Sequence, residues 1–362
     1  MQPPSLQEIP EALPAISTTT TTTTTTTSYH HSITIMSGNT IALFGATGNV
    51  GKELLKVLTE KAPQQDFLVF SRTEGESTGK VQTKALPKDE QGATDTDALA
   101  ELLSSAKVET IFLCIPQLLV AGAKKYVDDL IPAWKKGGVV RVVKVGTGNP
   151  STYEYGRRHV ASEDAIRKAG LKLTVLEGGS YSTNPQWLGP SPPGAPYLLV
   201  DVFKGLSYLS YVGLGVFRSM GNVACFTKED LEEPFVDLRD FAEALAVVLL
   251  DSKKHEGKTY RIYSEGVTPK EIAAVYGELL GRKFHVLTLS DEEISALMEM
   301  NGFKDEMLEL IMDMFTNFRN GVFQTDETWN GYQEITGKKP RTFKDFAKEI
   351  VGAKVKPIPL PL

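Results

Sequence analysis

Three glycines, Gly45, Gly48 and Gly51, stand three residues apart between a short apolar run and an amphipathic stretch. No other feature of the chain restricts its fold as strongly. Residues 40–44 (Thr40-Ile41-Ala42-Leu43-Phe44) read as a strand, and residues 52–58 place Leu54, Leu55 and Leu58 at helical spacing. Between them lies Gly45-Ala46-Thr47-Gly48-Asn49-Val50-Gly51. A strand, a tight glycine turn and a helix in this order suit a pyrophosphate. The first glycine permits the turn, the second lets backbone approach phosphate without a Cβ, and the third lets the helix pack close to the strand. Unpaired N–H groups and the positive dipole end at the helix start face the anion. Thr47, Asn49 and Val50 complete this candidate binding loop.

The alternation continues beyond the loop. Apolar, strand-like runs recur at 67–70, 80–86, 110–115, 139–145 and 171–176, with helical patterns at 97–106, 126–136 and 154–169 between them. Strands alternating with helices imply βαβ units and right-handed crossovers, and continuous apolar runs suit strands covered on both faces. The expected fold is α/β, a Rossmann-type doubly wound parallel sheet with a smaller mixed α/β C-terminal lobe. Past residue 180 the rhythm breaks. Residues 179–210 are rich in Gly, Pro, Ser and aromatics, among them Tyr181, Trp187, Tyr197 and Tyr208. Helical patterns return at 235–250, 269–280, 298–318 and 340–350, and strands are expected at 257–263 and 284–289. Ser290-Asp291-Glu292-Glu293 has the form of a capping box. The expected organisation is a tail at 1–35, a nucleotide-binding core at 36–180, a substrate lobe at 181–350 with elements returning to the core around 235–263, and a C-terminal tail at 351–362.

Composition removes several function classes. The chain has 362 residues, with 39 Lys+Arg against 45 Asp+Glu and a formal charge of −6, so it lacks the basic excess of a nucleic-acid binder. No uncharged apolar run is long enough to span a bilayer. Cys114 and Cys225 are too few for a disulfide framework, no Cys/His group has zinc spacing, and His30-His31 is a pair in the tail rather than a metal site. Residues 18–27 are ten consecutive threonines, and no Lys or Arg precedes Lys52. That segment has neither the form of a secretory signal nor that of a transit peptide. A cytoplasmic protein with a low-complexity, disordered front end is expected, and Met36 offers an alternative start.

The residue ending the second strand selects the cofactor. An acidic side chain there takes the ribose 2′-hydroxyl of NAD, whereas a cation accommodates the 2′-phosphate of NADP. This chain has Ser71-Arg72-Thr73, and a guanidinium can fork two N–H donors onto phosphate. NADP(H) is therefore expected over NAD(H), the competing reading being a solvated Arg72 balanced by Glu74 or Glu76. Ligands sit beyond the carboxyl ends of parallel strands. Ile115, Pro116 and Gln117, together with Lys144, Gly146 and Thr147, join the cofactor-facing candidates on that ground.

With this loop in place the chain resembles the NmrA-like branch of atypical short-chain dehydrogenases. Ser71-Arg72 stands where NADP-preferring members carry a cation, and His159-Val160-Ala161-Ser162-Glu163 resembles their H-x-x-x-E helix. Gly178-Gly179-Ser180-Tyr181-Ser182-Thr183-Asn184 resembles the aromatic loop after their sixth strand. Residues 235–241, 268–273 and 280–282 match later family segments in order. A departure is Glu177-Gly178, where the family often carries Arg-Pro or Arg-Asn.

Ordinary short-chain dehydrogenases use Tyr-x-x-x-Lys, and here no tyrosine has a lysine four residues on. The nearest arrangement is Tyr155 with His159, one turn apart on one helix face. A cationic His159 would assist Tyr155, with Thr147 as a hydroxyl partner; packing at a helix start explains the same pair. The resemblance implies one of two activities. One is NADPH-dependent reduction of a small aromatic or quinone-like carbonyl compound, for which water can supply the proton. The other is non-catalytic sensing of NADP(H), reported to a protein partner.

Overall fold

The computed structural model describes residues 39–181, 222–281, 283–300, 303–323 and 329–354. The expected tail at 1–35, residues 355–362 of the expected C-terminal tail, and Trp187, Tyr197 and Tyr208 lie outside the described residues, while residues 351–354 of that expected tail continue the last helix. The first half runs β1 (Ile41–Phe44), α1 (Asn49–Lys61), β2 (Phe67–Ser71), β3 (Val81–Ala85), α2 (Thr96–Ser105), β4 (Thr110–Leu113), α3 (Ala123–Lys136), β5 (Arg141–Thr147), α4 (Glu154–Lys168) and β6 (Lys172–Gly178). Next come β7 (Ser180–Tyr181), β8 (Asn222–Cys225), β9 (Glu233–Val236), α5 (Leu238–Leu250), β10 (Thr259–Ile262), β11 (Glu265–Val267), α6 (Pro269–Leu280) and β12 (His285–Thr288). The last helices are α7 (Asp291–Met300), α8 (Asp305–Arg319), α9 (Gly331–Thr336) and α10 (Phe343–Lys354).

Seven strands form one sheet in the order β10-β6-β5-β4-β1-β2-β3, and every neighbouring pair is parallel. The fold is α/β and Rossmann-like. From β1 the chain winds outward to β2 and β3, then crosses back to place β4 on the other side of β1. Loops leaving β1 and β4 therefore diverge and open a crevice at their carboxyl ends. Side chains alternate across the sheet. Ala42 and Phe44 of β1, Leu68 and Phe70 of β2, and Ile111 and Leu113 of β4 share a buried core with Leu99, Leu103, Val127, Leu130 and Trp134 of α2 and α3.

Local chemistry fixes where the helices begin. Asp95 accepts hydrogen bonds from the Asp97 and Ala98 N–H groups and caps α2, and Asp237 accepts from the Arg239 N–H at the start of α5. Thr268 and Glu271 make a reciprocal capping box before Pro269, and Ser290 with Glu293 makes another. One Met-rich helix over 298–318 was the sequence expectation; two helices are found, α8 starting afresh at Asp305 after Phe303. Met307, Leu310, Ile311 and Phe315 of α8 belong to the same core as the sheet. A second core joins Phe235, Ile272, Tyr276, Phe284, Phe343 and Phe346. Among the described residues, no helix is long and apolar enough to cross a membrane.

Candidate functional site

Each glycine of the loop meets a different constraint. Gly45 sits at φ +91°, a left-handed conformation that side chains disfavour, and a Cβ there would collide with the Cys114 carbonyl oxygen. The close approach follows from the pairing of β1 with β4, since the Cys114 N–H donates to the Phe44 carbonyl at 2.9 Å. A Cβ at Gly51 would run into the Gly45 oxygen and the Ala46 backbone. Gly48 is different: a Cβ there would meet only the Gly45 oxygen, at an ordinary 3.6 Å. Gly45 and Gly51 shape the turn, while Gly48 leaves an open approach to the helix start.

Gly48 is the N-cap of α1 and offers no side chain to cap it, and the first turn carries no acidic residue. The N–H groups of Asn49, Val50 and Gly51 thus begin the helix without a competing anion. Thr47, Gly48 and Asn49 are exposed, while Val50 and Gly51 turn into the core. These features fit a pyrophosphate.

Strand order sets the neighbours of this loop. On the β2 side, Ser71 ends the strand with its hydroxyl turned to the Thr73 carbonyl, and Arg72 follows, exposed. Arg72 has no ion-pair partner among the described residues; Glu74 is taken by Lys84 at 3.1 Å. On the β4 side come half-buried Cys114, buried Ile115, and exposed Pro116 and Gln117. Burial pushes the Cys114 thiol up to about 11 against the pull of the Lys144 ammonium, so it remains a thiol at neutral pH.

The end of β5 differs from the sequence expectation in two respects. Thr147 gives its hydroxyl not to Tyr155 but to Tyr153, at 2.5 Å, and the Tyr153 hydroxyl also reaches the Gly148 carbonyl at 3.2 Å. Tyr153 precedes α4 in extended backbone, at φ −142° and ψ 159°, which swings its ring back toward β5. His159, in turn, is not cationic. Burial first and the Lys144 ammonium second hold its pKa well below the usual imidazole value. Tyr155 does pack against His159, with ring centroids 5.4 Å apart, and burial raises its phenol above the ordinary range.

Lys144 is fully buried. Its Nζ lies 3.0 Å from Glu163 Oε1, 3.2 Å from His159 Nδ1 and 3.3 Å from the Val145 carbonyl. His159 and Glu163 are four residues apart on α4 and face the same spot. The i,i+4 spacing of the pair was visible in the sequence; its lysine partner was not. Gly146 lies beside this cluster, where a Cβ would press on Val175 at 2.7 Å and Glu177 at 3.3 Å.

Glu177, the departure at the end of β6, is answered by Arg261 of β10. The two are in register, with Arg261 Nε 3.2 Å from Glu177 Oε2. Burial outweighs that partner and pushes the Glu177 carboxyl up to about 7. An unfolded glutamate titrates near ~4.3. Between these values the native state binds the extra proton, so the Glu177 contribution is fully present below about pH 4.3 and is lost as pH rises through about 7. Relative to Glu177→Gln, the wild type should lose about 1.4 kcal/mol of stability per pH unit across that window. Urea unfolding at pH 5 and pH 7 checks the slope.

Comparison with known proteins agrees with this geometry. Residues 40–136 match the family model of the semialdehyde dehydrogenase NAD-binding domain. The chain carries a Rossmann-type NAD(P)-binding domain. Prestalk A differentiation protein A of Dictyostelium discoideum is 27% identical over 116 residues, 32% of this chain, and the chain spans only 38% of that relative's length. Agroclavine dehydrogenase of Claviceps fusiformis is 22% identical over 319 residues, 86% of this chain and 96% of the relative. Among solved structures, the NADPH-dependent quinone oxidoreductase from Escherichia coli, complexed with NADPH, superposes with a TM-score of 0.64. It is 19% identical, over 86% of this chain and 99% of that one.

Proposed function

We propose that this chain is an NADPH-dependent oxidoreductase of the NmrA-like type that reduces a small aromatic or quinone-like carbonyl compound. The observation that carries the reading is the loop itself. Gly45 and Gly51 close it, Gly48 leaves the start of α1 open, and Arg72, at the end of the neighbouring strand, has no ion-pair partner among the described residues. Residues 36–180 hold the cofactor, and the lobe from 181 to 350, apart from elements around 235–263 that return to the core such as β10, receives the substrate. The names of the agroclavine dehydrogenase and the NADPH-dependent quinone oxidoreductase, each similar to this chain over 86% of its length, support the oxidoreductase reading, and the second supports a quinone-like acceptor.

When bound, a reduced nicotinamide supplies a hydride. The chain's own part is to hold the pyrophosphate on the N–H groups of Asn49, Val50 and Gly51, and the 2′-phosphate on Arg72 with Ser71 and Thr73 beside it. Ile115, Pro116 and Gln117 wall the β4 side of the crevice. Cys114 stays protonated and takes no nucleophilic part.

Arg72→Glu tests the cofactor assignment. It replaces a phosphate-pairing cation by a repulsive anion at an exposed position, so stability should stay within about 0.5 kcal/mol. NADPH affinity should fall roughly 100-fold, the equivalent of about 2.7 kcal/mol, while NADH affinity changes little. Calorimetric titration of both cofactors, followed by NADPH oxidation with a quinone panel, reads the result. Equal losses for the two cofactors would remove Arg72 from the 2′-phosphate site.

A further inference from the structure

Lys144 occupies a position where the strand register calls for an apolar side chain. Its partners across the sheet are Leu113 on β4 and Val175 on β6, both members of the buried core. A dry Lys–Glu pair gains little over an apolar pair of the same size, so stability gives no reason for an ammonium here. Its hydrogen bonds do suggest one. An ammonium has three N–H donors and no acceptor, and Glu163 Oε1, His159 Nδ1 and the Val145 carbonyl take all three. Nδ1 of a neutral His159 therefore presents its lone pair, and the ring proton sits on Nε2.

We propose that Lys144 is the positioning residue for proton delivery, holding His159 as its Nε2–H tautomer and replacing at Nδ1 the proton that leaves from Nε2. The lysine absent from a Tyr-x-x-x-Lys helix enters instead from β5, behind the histidine. The inference rests on the reductase reading. In the reduction of a carbonyl, hydride forms the new C–H bond and the C=O π pair moves onto oxygen. That oxygen takes the Nε2 proton of His159 as the Lys144 ammonium passes one to Nδ1. A proton from water then returns to Nε2 and Nδ1 hands its own back to the Lys144 amine, which restores the starting tautomer, so the substrate gains one hydride and one proton. Tyr155 packs against the imidazole at a tilt of 44° and keeps its ring in place.

The titratable groups facing Lys144 suit this role. They are His159 and Glu163 from α4, Glu177 from the end of β6 and Cys114 after β4. Burial lowers the Lys144 pKa, with Glu163 and then Glu177 opposing it, which makes the ammonium a better proton source than an exposed one.

Long-range proton–nitrogen NMR correlations of His159, recorded on the full chain without cofactor, read the tautomer independently of turnover. The expected pattern has Nε2 protonated and Nδ1 bare. In Lys144→Met/Glu163→Gln, where both charges leave together, that preference should disappear. Carbonyl-reducing kcat should fall about 100-fold, with KM for NADPH unchanged and the wild-type pH profile lost. Lys144→Met/Glu163→Leu serves if the first pair does not fold. A wild-type proton on Nδ1 overturns the proposal. So does an unchanged tautomer or an unchanged kcat in either folded variant. A wild type that binds NADPH and turns over no carbonyl overturns the reductase reading and this role with it; turnover that survives the double substitution overturns this role alone.

Discussion

Gly48→Ala should weaken NADPH binding roughly 100-fold while leaving the fold in place, an affinity loss of about 2.7 kcal/mol. The alanine Cβ would meet only the Gly45 oxygen at 3.6 Å, and the native backbone, at φ −78° and ψ 177°, is open to any residue. Thermal stability should therefore move by no more than a few degrees, the scale of about 1 kcal/mol in a domain of this size. The new methyl instead stands between the anion and the N–H groups at the start of α1, where phosphate oxygens must come within hydrogen-bonding distance. Gly51→Ala makes the opposite comparison. Its Cβ would press into the Gly45 oxygen and Ala46, so α1 must move off β1 at a cost of about 1–3 kcal/mol. Binding and melting temperature should fall together. Fluorescence titration with NADPH and a thermal melt on each variant separate the two cases. A Gly48→Ala protein that binds like wild type would show that phosphate does not approach here.

Lys144→Met should destabilise the fold strongly, by about 3–5 kcal/mol. It strands Glu163 in the core with only Arg167 among the described residues, at 3.5 Å from its other oxygen, to balance it. Lys144→Met/Glu163→Gln should recover most of the loss, because a neutral pair of similar volume carries no uncompensated charge. The pH dependence has its own sign. Burial lowers the native Lys144 pKa below the unfolded value of ~10.4, so in that interval the unfolded chain binds more protons and stability rises with pH. Glu177 gives the opposite slope at lower pH. Urea unfolding of the three proteins at several pH values checks both the magnitude and the sign; a single variant as stable as wild type would contradict the buried pair.

Much of the fold was legible because it follows from local pattern. The glycine loop between residues 44 and 52 identifies the first βα unit, and right-handed crossovers leave few orders for the strands that follow. The capping chemistry at Thr268 and Ser290 marked helix starts directly. A long Met-rich run read as one helix because its apolar spacing carries across the break between Met300 and Asp305. The site was less legible where contacts are made across the sheet. Thr147 and Tyr155 look like partners in a linear reading; the extended backbone at Tyr153 decides otherwise. Lys144 at the end of an apolar run reads as a crevice residue until its register with Leu113 and Val175 places it in the core. Glu177 reads as a lost family feature until β10, far along the chain, brings Arg261 beside it. Charges buried in pairs leave no periodic trace, since each partner sits alone in its own segment.

Oxidation of NADPH by the wild-type chain, followed by the absorbance of the reduced nicotinamide across a panel of quinones and conjugated carbonyl compounds, tests the central reading most directly. The predicted result is turnover with at least one flat acceptor, faster with NADPH than with NADH and, at sub-saturating NADPH, roughly 100-fold slower in Gly48→Ala. Stoichiometric NADPH binding without turnover of any acceptor would contradict it and leave a protein that reads the cofactor without using it.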